Sequence, residues 1–180
     1  MKELSLHILD LVQNSIKAGA KNIEILIDEN TEKNLMTIEI NDNGCGMSEE
    51  FLRKVKDPFV TTRTTRKMGM GISLFEAAAV QCGGGLDIES QLGVGTKVKT
   101  TFELLSIDRA PLGDMAETMM TIISGAPDRE YLYRHTKDGN VFELDTIKLK
   151  EILGEVPLDM PEVLTWITGY VKEGLTELNI

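Results

Sequence analysis

Apolar residues recur at helical spacing from the start of the chain. Ile8, Leu11, Val12 and Ile16 share one side of a helix predicted over residues 2–18. Glu3, His7, Asp10, Asn14 and Lys17, at steps of four and three, form a polar stripe on the other. Ala18-Gly19-Ala20 ends that helix, with Gly19 as its C-terminal cap. The period then changes to two: Ile23, Ile25 and Ile27 alternate through a half-buried strand from Asn22 to Asp28. After a polar turn, Met36, Ile38 and Ile40 alternate into Asp42-Asn43-Gly44-Cys45-Gly46-Met47, so this glycine loop leaves the end of a second strand.

Ser48, followed by Glu49 and Glu50, has the form of an N-cap opening a short helix, which Asp57-Pro58 stops. Residues 60–68 are rich in Thr and Arg, as in a mobile loop. Gly69-Met70-Gly71 then opens an apolar helix through Ile72, Leu74, Phe75, Ala78 and Ala79, and Gly83-Gly84-Gly85 closes it. Strands around Leu86–Ser90 and Val98–Phe102 are joined across Gly93-Val94-Gly95-Thr96. To about residue 105 the pattern is a helix–sheet sandwich with ligand loops at one edge. Near Pro111 it changes. A Met-rich helix over 113–123 precedes two runs flanking Lys137-Asp138-Gly139-Asn140, a strong hairpin signal, and helices follow over 146–153 and 161–178. We divide the chain into residues 1–105 and a 106–180 extension of helix, hairpin and helices.

Composition narrows the function. The chain has 180 residues, 42% hydrophobic and 27% charged, the profile of a globular domain. A net charge of −10 argues against sequence-independent nucleic-acid binding, which depends on Lys and Arg meeting phosphates. The apolar runs are too short to span a bilayer, and the N-terminus lacks the pattern of a signal peptide. Cys45 and Cys82 give neither a disulfide framework nor metal-ligand spacing, which points to reduced thiols and the cytoplasm. We expect no nucleic-acid or membrane partner.

The polar stripe and glycine loops suggest a nucleotide pocket. Asn14 is either a helix amide satisfied by backbone or an oxygen ligand for Mg²⁺. Asp10, one turn earlier, is a solvated carboxylate or a base for an attacking water or hydroxyl. Lys17, one turn later, can meet a phosphate as a point charge. Asp42-Asn43-Gly44 is by itself a turn signal, yet a carboxylate at a strand end can accept from an exocyclic amino group such as adenine's. Gly44 and Gly46 allow close approach to a flat base, and Gly69 and Gly71 at a helix start offer N–H groups to phosphates. The sequence carries neither a Walker A lysine nor a dinucleotide fingerprint. His7 and His135 read as surface residues, and the methionines of 115–120 as core. Cys45 stands in a loop where its modification would block a ligand.

Five segments in order resemble the motifs of the GHKL ATP-binding fold: Asp10 to Ala20, Asp42 to Met47, Asp57 to Thr62, Gly69 to Leu74 and Gly93 to Thr96. That superfamily joins gyrase, a heat-shock chaperone, sensor histidine kinases and mismatch-repair ATPases. The resemblance covers residues 1 to about 105. It implies a Bergerat-type α/β (two-layer α+β) sandwich, with helices on one face of a mixed sheet and a short ATP lid over about 60–68. Its cofactors would be ATP and Mg²⁺. Asn14 would hold Mg²⁺, Asp42 would read adenine with Thr96 beneath it, and Gly44, Gly46, Gly69 and Gly71 would border the nucleotide. Lys17, Met47, Phe59, Thr62, Arg63, Met70 and Ile72 complete the implied contacts. Arg63, Arg66 and Lys67 of the lid either neutralise a triphosphate or are simply solvated.

Within that superfamily, the Asp10–Ala20 segment looks like the mismatch-repair ATPases, whose base at the Asp10 position is normally Glu. Lys17 and the short lid look more like histidine kinases and the serine kinases that act as anti-sigma factors. The expected function is a stand-alone regulatory kinase or ATPase acting on an unidentified partner protein, with Asp10 as catalytic base. A nucleotide-gated binding module without turnover and a mismatch-repair-like hydrolase are the alternatives.

Overall fold

Alternation at period two fixes the sheet. The computed structural model describes residues 2–57 and 66–180. Among them, β1 (Asn22–Asn30), β2 (Leu35–Asp42), β3 (Gly85–Gln91), β4 (Gly95–Glu103), β5 (Glu130–Lys137) and β6 (Asn140–Asp145) form one sheet in the order β3-β4-β2-β1-β5-β6. Neighbours run antiparallel except β1 and β5, which are parallel. The register aligns Ile88, Val98, Ile40, Ile25, Tyr133 and Leu144 in one buried row across all six strands. A one-residue slip of any strand would turn its apolar set to the other face, so this row specifies the pairing. The opposite face carries Glu24, Thr37, Glu39, Asn41, Lys97, Lys99 and Arg134, with Glu39 between Lys97 and Lys99.

The buried face is covered by helices. These are α1 (Leu4–Lys17), α2 (Glu49–Lys56), α3 (Arg66–Gln81), α4 (Met115–Gly125), α5 (Thr146–Leu153) and α6 (Pro161–Glu177). α1 buries Leu4, Ile8, Leu11, Val12 and Ser15. It ends in a Schellman turn: Ala20 N–H donates to Ser15 O at 3.1 Å, Gly19 N–H donates to Ile16 O at 3.0 Å, and Gly19 has φ +78°. Its other end has no side-chain cap; the N–H groups of Leu4 and Ser5 donate to the carbonyls of Pro111 and Leu112 at 3.0 and 2.8 Å. Ser48 caps α2 as expected, and Asp114 and Asp145 cap α4 and α5.

The hairpin falls where the turn residues put it, with Asp138 and Gly139 both at positive φ. Beyond the soft boundary at 106 the chain returns to the same sheet and the same core, which includes Met115 and Met119 of the Met-rich helix. Three expectations change. α3 begins at Arg66, so Gly69 and Gly71 lie inside it rather than at its opening. His7 is buried, not on a solvated stripe, because α3 packs over that side of α1 and stacks Phe75 on the imidazole at 5.1 Å. His135 is fully buried because β5 is an interior strand. Its Nδ1 lies 2.8 Å from the Tyr133 hydroxyl and its Nε2 lies 2.9 Å from Glu29 Oε2. Burial holds the Tyr133 phenol protonated, and the Glu29 carboxylate accepts from the Nε2–H of His135.

The helical layer closes on β6 through a glycine. A Cβ at Gly174 of α6 would collide with the edge of the Phe142 ring at Cδ1. Gly174→Ala is therefore expected to destabilise the fold by about 1–3 kcal/mol in urea denaturation. Adding Phe142→Leu should recover part of that loss, because it removes the colliding ring edge.

Candidate functional site

The loop after β2 is built so that one carboxylate is held from both sides. Asp42 Oδ2 accepts from Ser15 Oγ of α1 at 2.6 Å, and Oδ1 accepts from Gly44 N–H at 2.9 Å. A carboxylate accepts about four hydrogen bonds, so Asp42 keeps acceptor capacity for a ligand. Asn43 fastens the loop to β1 by accepting from the N–H groups of Lys21 and Asn22, both at 2.9 Å. Cys45 links the end of α1 to the β3–β4 turn: its N–H donates to Ala18 O at 2.9 Å, and its carbonyl accepts from Gly93 N–H at 2.7 Å.

Two glycines permit this closeness. A Cβ at Gly95 would strike the Asp42 carbonyl, and one at Gly46 would strike the Gln91 carbonyl. Thr96 stands opposite Asp42 in the β2–β4 register. Ser90 Oγ accepts from Met47 N–H at 2.8 Å and donates to Gly95 O at 3.0 Å. Its single proton being used, Thr96 donates to Ser90 at 2.9 Å and keeps its own lone pairs.

Between these groups lies a cavity of about 40 Å³ lined by Leu11, Asn14, Ser15, Ala18, Ile40, Asp42, Met47, Ile72, Thr96 and Val98. The structure thus brings together Asn14, Asp42, Met47, Ile72 and Thr96 from the sequence-derived set. Gly44 and Gly46 shape the loop beneath. The side-chain amide of Asn14 has no hydrogen-bond partner among the described residues, so the backbone-satisfied alternative does not hold there.

Other members of the set stand apart from this cavity. Asp10 lies one turn further along α1, ion-paired with Lys2, both side chains a little over a third exposed. Gly71 packs against it, a Cβ there meeting Asp10 Cβ at 3.5 Å. Lys17 and Met70 are exposed. Phe59, Thr62 and Arg63 lie outside the described residues, as does most of the expected lid, while Arg66 to Gly69 form the first turn of α3. Cys45 is exposed and Cys82 buried.

Sequence reasoning passed over Ser15 and Ser90. The signal for Ser15 was present: a hydroxyl four residues after Leu11 on the apolar face of α1 needs a buried partner. Ser90 carried no comparable signal, since its bonds depend on how the turn after β3 folds back.

A family model described as "Histidine kinase-, DNA gyrase B-, and HSP90-like ATPase" matches residues 2–106. "Histidine protein kinase DivJ" of Caulobacter vibrioides is 30% identical over 102 residues, covering 54% of this chain and 17% of that protein. "Sensor protein SrrB" of Staphylococcus aureus is 33% identical over 101 residues, covering 53% and 17%. The chain spans less than a fifth of the length of either relative.

Among solved structures, the Aquifex aeolicus MutL ATPase domain complexed with ADP superposes with a TM-score of 0.51 at 17% identity, covering 85% of this chain and 69% of that one. The N-terminal domain of a DNA repair protein gives 0.54 at 17% identity, covering 81% and 53%. Both shares exceed what residues 2–106 make up, so the likeness in fold extends beyond the family match.

His7 offers a test of how α3 seats on α1. Burial, and then the Lys2 ammonium, push its pKa below 6.5, against the opposing pull of Asp10; its Nδ1 is buried without a partner among the described residues. The unfolded chain therefore takes up this proton first as the pH falls below 6.5. The contribution of His7 to stability is complete above that pH and declines as the pH drops toward the lowered folded value. His7→Phe keeps the stack on Phe75 and removes the titration. Melting temperatures measured between about pH 5 and about pH 7.5 should fall less steeply on the acid side for the variant than for wild type.

Proposed function

Because this chain belongs to the histidine kinase-, DNA gyrase B- and HSP90-like ATPase family, we propose that the cavity between Asp42 and Asn14 is its ATP site. The observation that carries this reading is the Asp42 carboxylate, fixed by Ser15 and Gly44 and still able to accept from an exocyclic amino group. Asp42 and Thr96, with Met47 and Ile72 beside them, would hold adenine, and Asn14 on α1 would meet the phosphates.

Mg²⁺ fits the donor set. The described residues contain no group of three or more acidic, His or Cys side chains able to cage a metal alone. Mg²⁺ on a nucleotide keeps waters and phosphate oxygens and needs few protein ligands, so one unpartnered amide oxygen at Asn14 suffices. Held there by Asn14, the ion would supply charge to neutralise the phosphates. Asp10 accepts the proton of the attacking hydroxyl or water as the terminal phosphoryl group leaves ADP. The kinase relatives favour a protein acceptor, and the protein acts as a regulatory kinase or ATPase on a partner. A second reading, a nucleotide-gated binding module without turnover, draws on one observation: Lys2 already occupies the Asp10 carboxylate.

The fate of γ-labelled ATP with Mg²⁺ distinguishes them. We expect labelled protein or free phosphate, lost with Asp42→Ala, and a loss of at least about 100-fold in turnover with Asp10→Asn while ATP binding persists. Bound ATP that stays intact would establish the gated module. Wild-type protein that binds no ATP would overturn the site.

A further inference from the structure

Lys2 stands at the place along α1 where a triphosphate would end. A helix rises about 1.5 Å per residue, so the eight residues from Ala18, at the base end of the cavity, to Asp10 span about 12 Å. Asn14 lies midway. A nucleotide whose base rested on Asp42 and whose phosphates passed Asn14 would bring its terminal phosphate toward Asp10, against which Gly71 of α3 packs. The cation at that end, among the described ion pairs, is the Lys2 ammonium on Asp10.

The backbone behind it is fixed. Leu4 and Ser5 are hydrogen-bonded to Pro111 and Leu112, and Gly113, at φ +86°, packs so closely that a Cβ would strike both Glu3 and Ser5. The flexible part is the lysine stem, four carbons long. Asp10 offers one negative charge in a partly exposed ion pair, which is weak and easily exchanged. A terminal phosphate offers about two charges and three acceptor oxygens, and is the stronger partner for an ammonium.

Resting on the ATP-site reading, we propose that Lys2 is the residue with which this chain tells ATP from ADP. It bonds to Asp10 when no terminal phosphate is present and transfers to that phosphate when ATP binds. The transfer breaks one ion pair and makes another, and it frees the Asp10 carboxylate to accept a proton. The chain thereby couples recognition of the terminal phosphate to release of its own base. Turnover is not required for the discrimination, so binding alone tests it.

The experiment is calorimetric titration of the full chain with ATP and with ADP, in the presence of Mg²⁺. Lys2→Ala should weaken ATP by about tenfold and leave ADP within about twofold, since the gain from moving the ammonium off Asp10 onto the stronger terminal-phosphate partner is lost. Lys2→Arg should restore most of the preference. Asp10→Asn, which removes the rival for the ammonium, should tighten ATP several-fold without changing ADP, and that gain should vanish when Lys2→Ala is added. An ATP-to-ADP ratio unchanged by Lys2→Ala would overturn the assignment of Lys2 and leave the ATP site standing. Wild-type protein that binds neither nucleotide would overturn both.

Discussion

The hydrogen bond from Ser15 to Asp42 is the joint between the helical layer and the sheet at the candidate site. It is short and charge-assisted, of a class that contributes about 1.5–3 kcal/mol. Its larger effect is positional. Asp42 is also the last residue of β2, lies opposite Thr96, and presents its carbonyl to a glycine because any side chain there would strike it. A shift of α1 along the sheet would break the Ser15 bond and displace Asn14 from the cavity at once. Apart from Ile72, which comes from α3, the side chains that line the cavity are thus placed by one helix, two strand ends and one loop that cannot move independently.

The other end of α1 is tied as firmly, but by a different part of the chain. Its first donors are satisfied by the carbonyls of residues 111 and 112, and its neighbours there are Gly113 and α4. The sequence match to the ATPase family stops at residue 106, while the likeness in fold does not. The helix carrying Asp10, Asn14 and Ser15 is therefore anchored at its start by backbone outside the matched segment. A partner that pulled on the connector around Pro111 would act on the N-terminal turn of α1.

Most elements could be read from the sequence because two periods and a few turn residues settle them. Ile23, Ile25 and Ile27 alternate where β1 lies, Gly19 ends α1 at the residue the pattern names, and Asp138-Gly139 makes the hairpin. The cavity residues Asn14, Asp42 and Thr96 were legible for another reason: a resemblance across five ordered motifs, which spacing alone would not have supplied. What the sequence hid was tertiary. His7 sits at a polar-stripe position and is nonetheless buried, because a second helix covers a flank that helical periodicity treats as solvent. His135 lies in a strand whose interior position depends on β6 and β1 pairing on both sides of it. The start of α3 at Arg66 was hidden by Gly69 and Gly71, which read as a break and lie inside the helix, Gly71 against Asp10 of α1.

The hairpin has a consequence for how the molecule keeps to itself. Without β5 and β6, the sheet would end on β1, a nine-residue strand with isoleucine at 23, 25 and 27. Such an edge is a template for pairing with any extended chain that meets it. The hairpin moves the open edge outward to β6, six residues long, where the Tyr170 hydroxyl already donates to the carbonyl of Glu143. At the far side β3 is short as well, and Lys56 of α2 reaches across to Asp87. In physical terms, the segment that reads as an appendage covers the longer and more apolar edge and leaves a shorter one open.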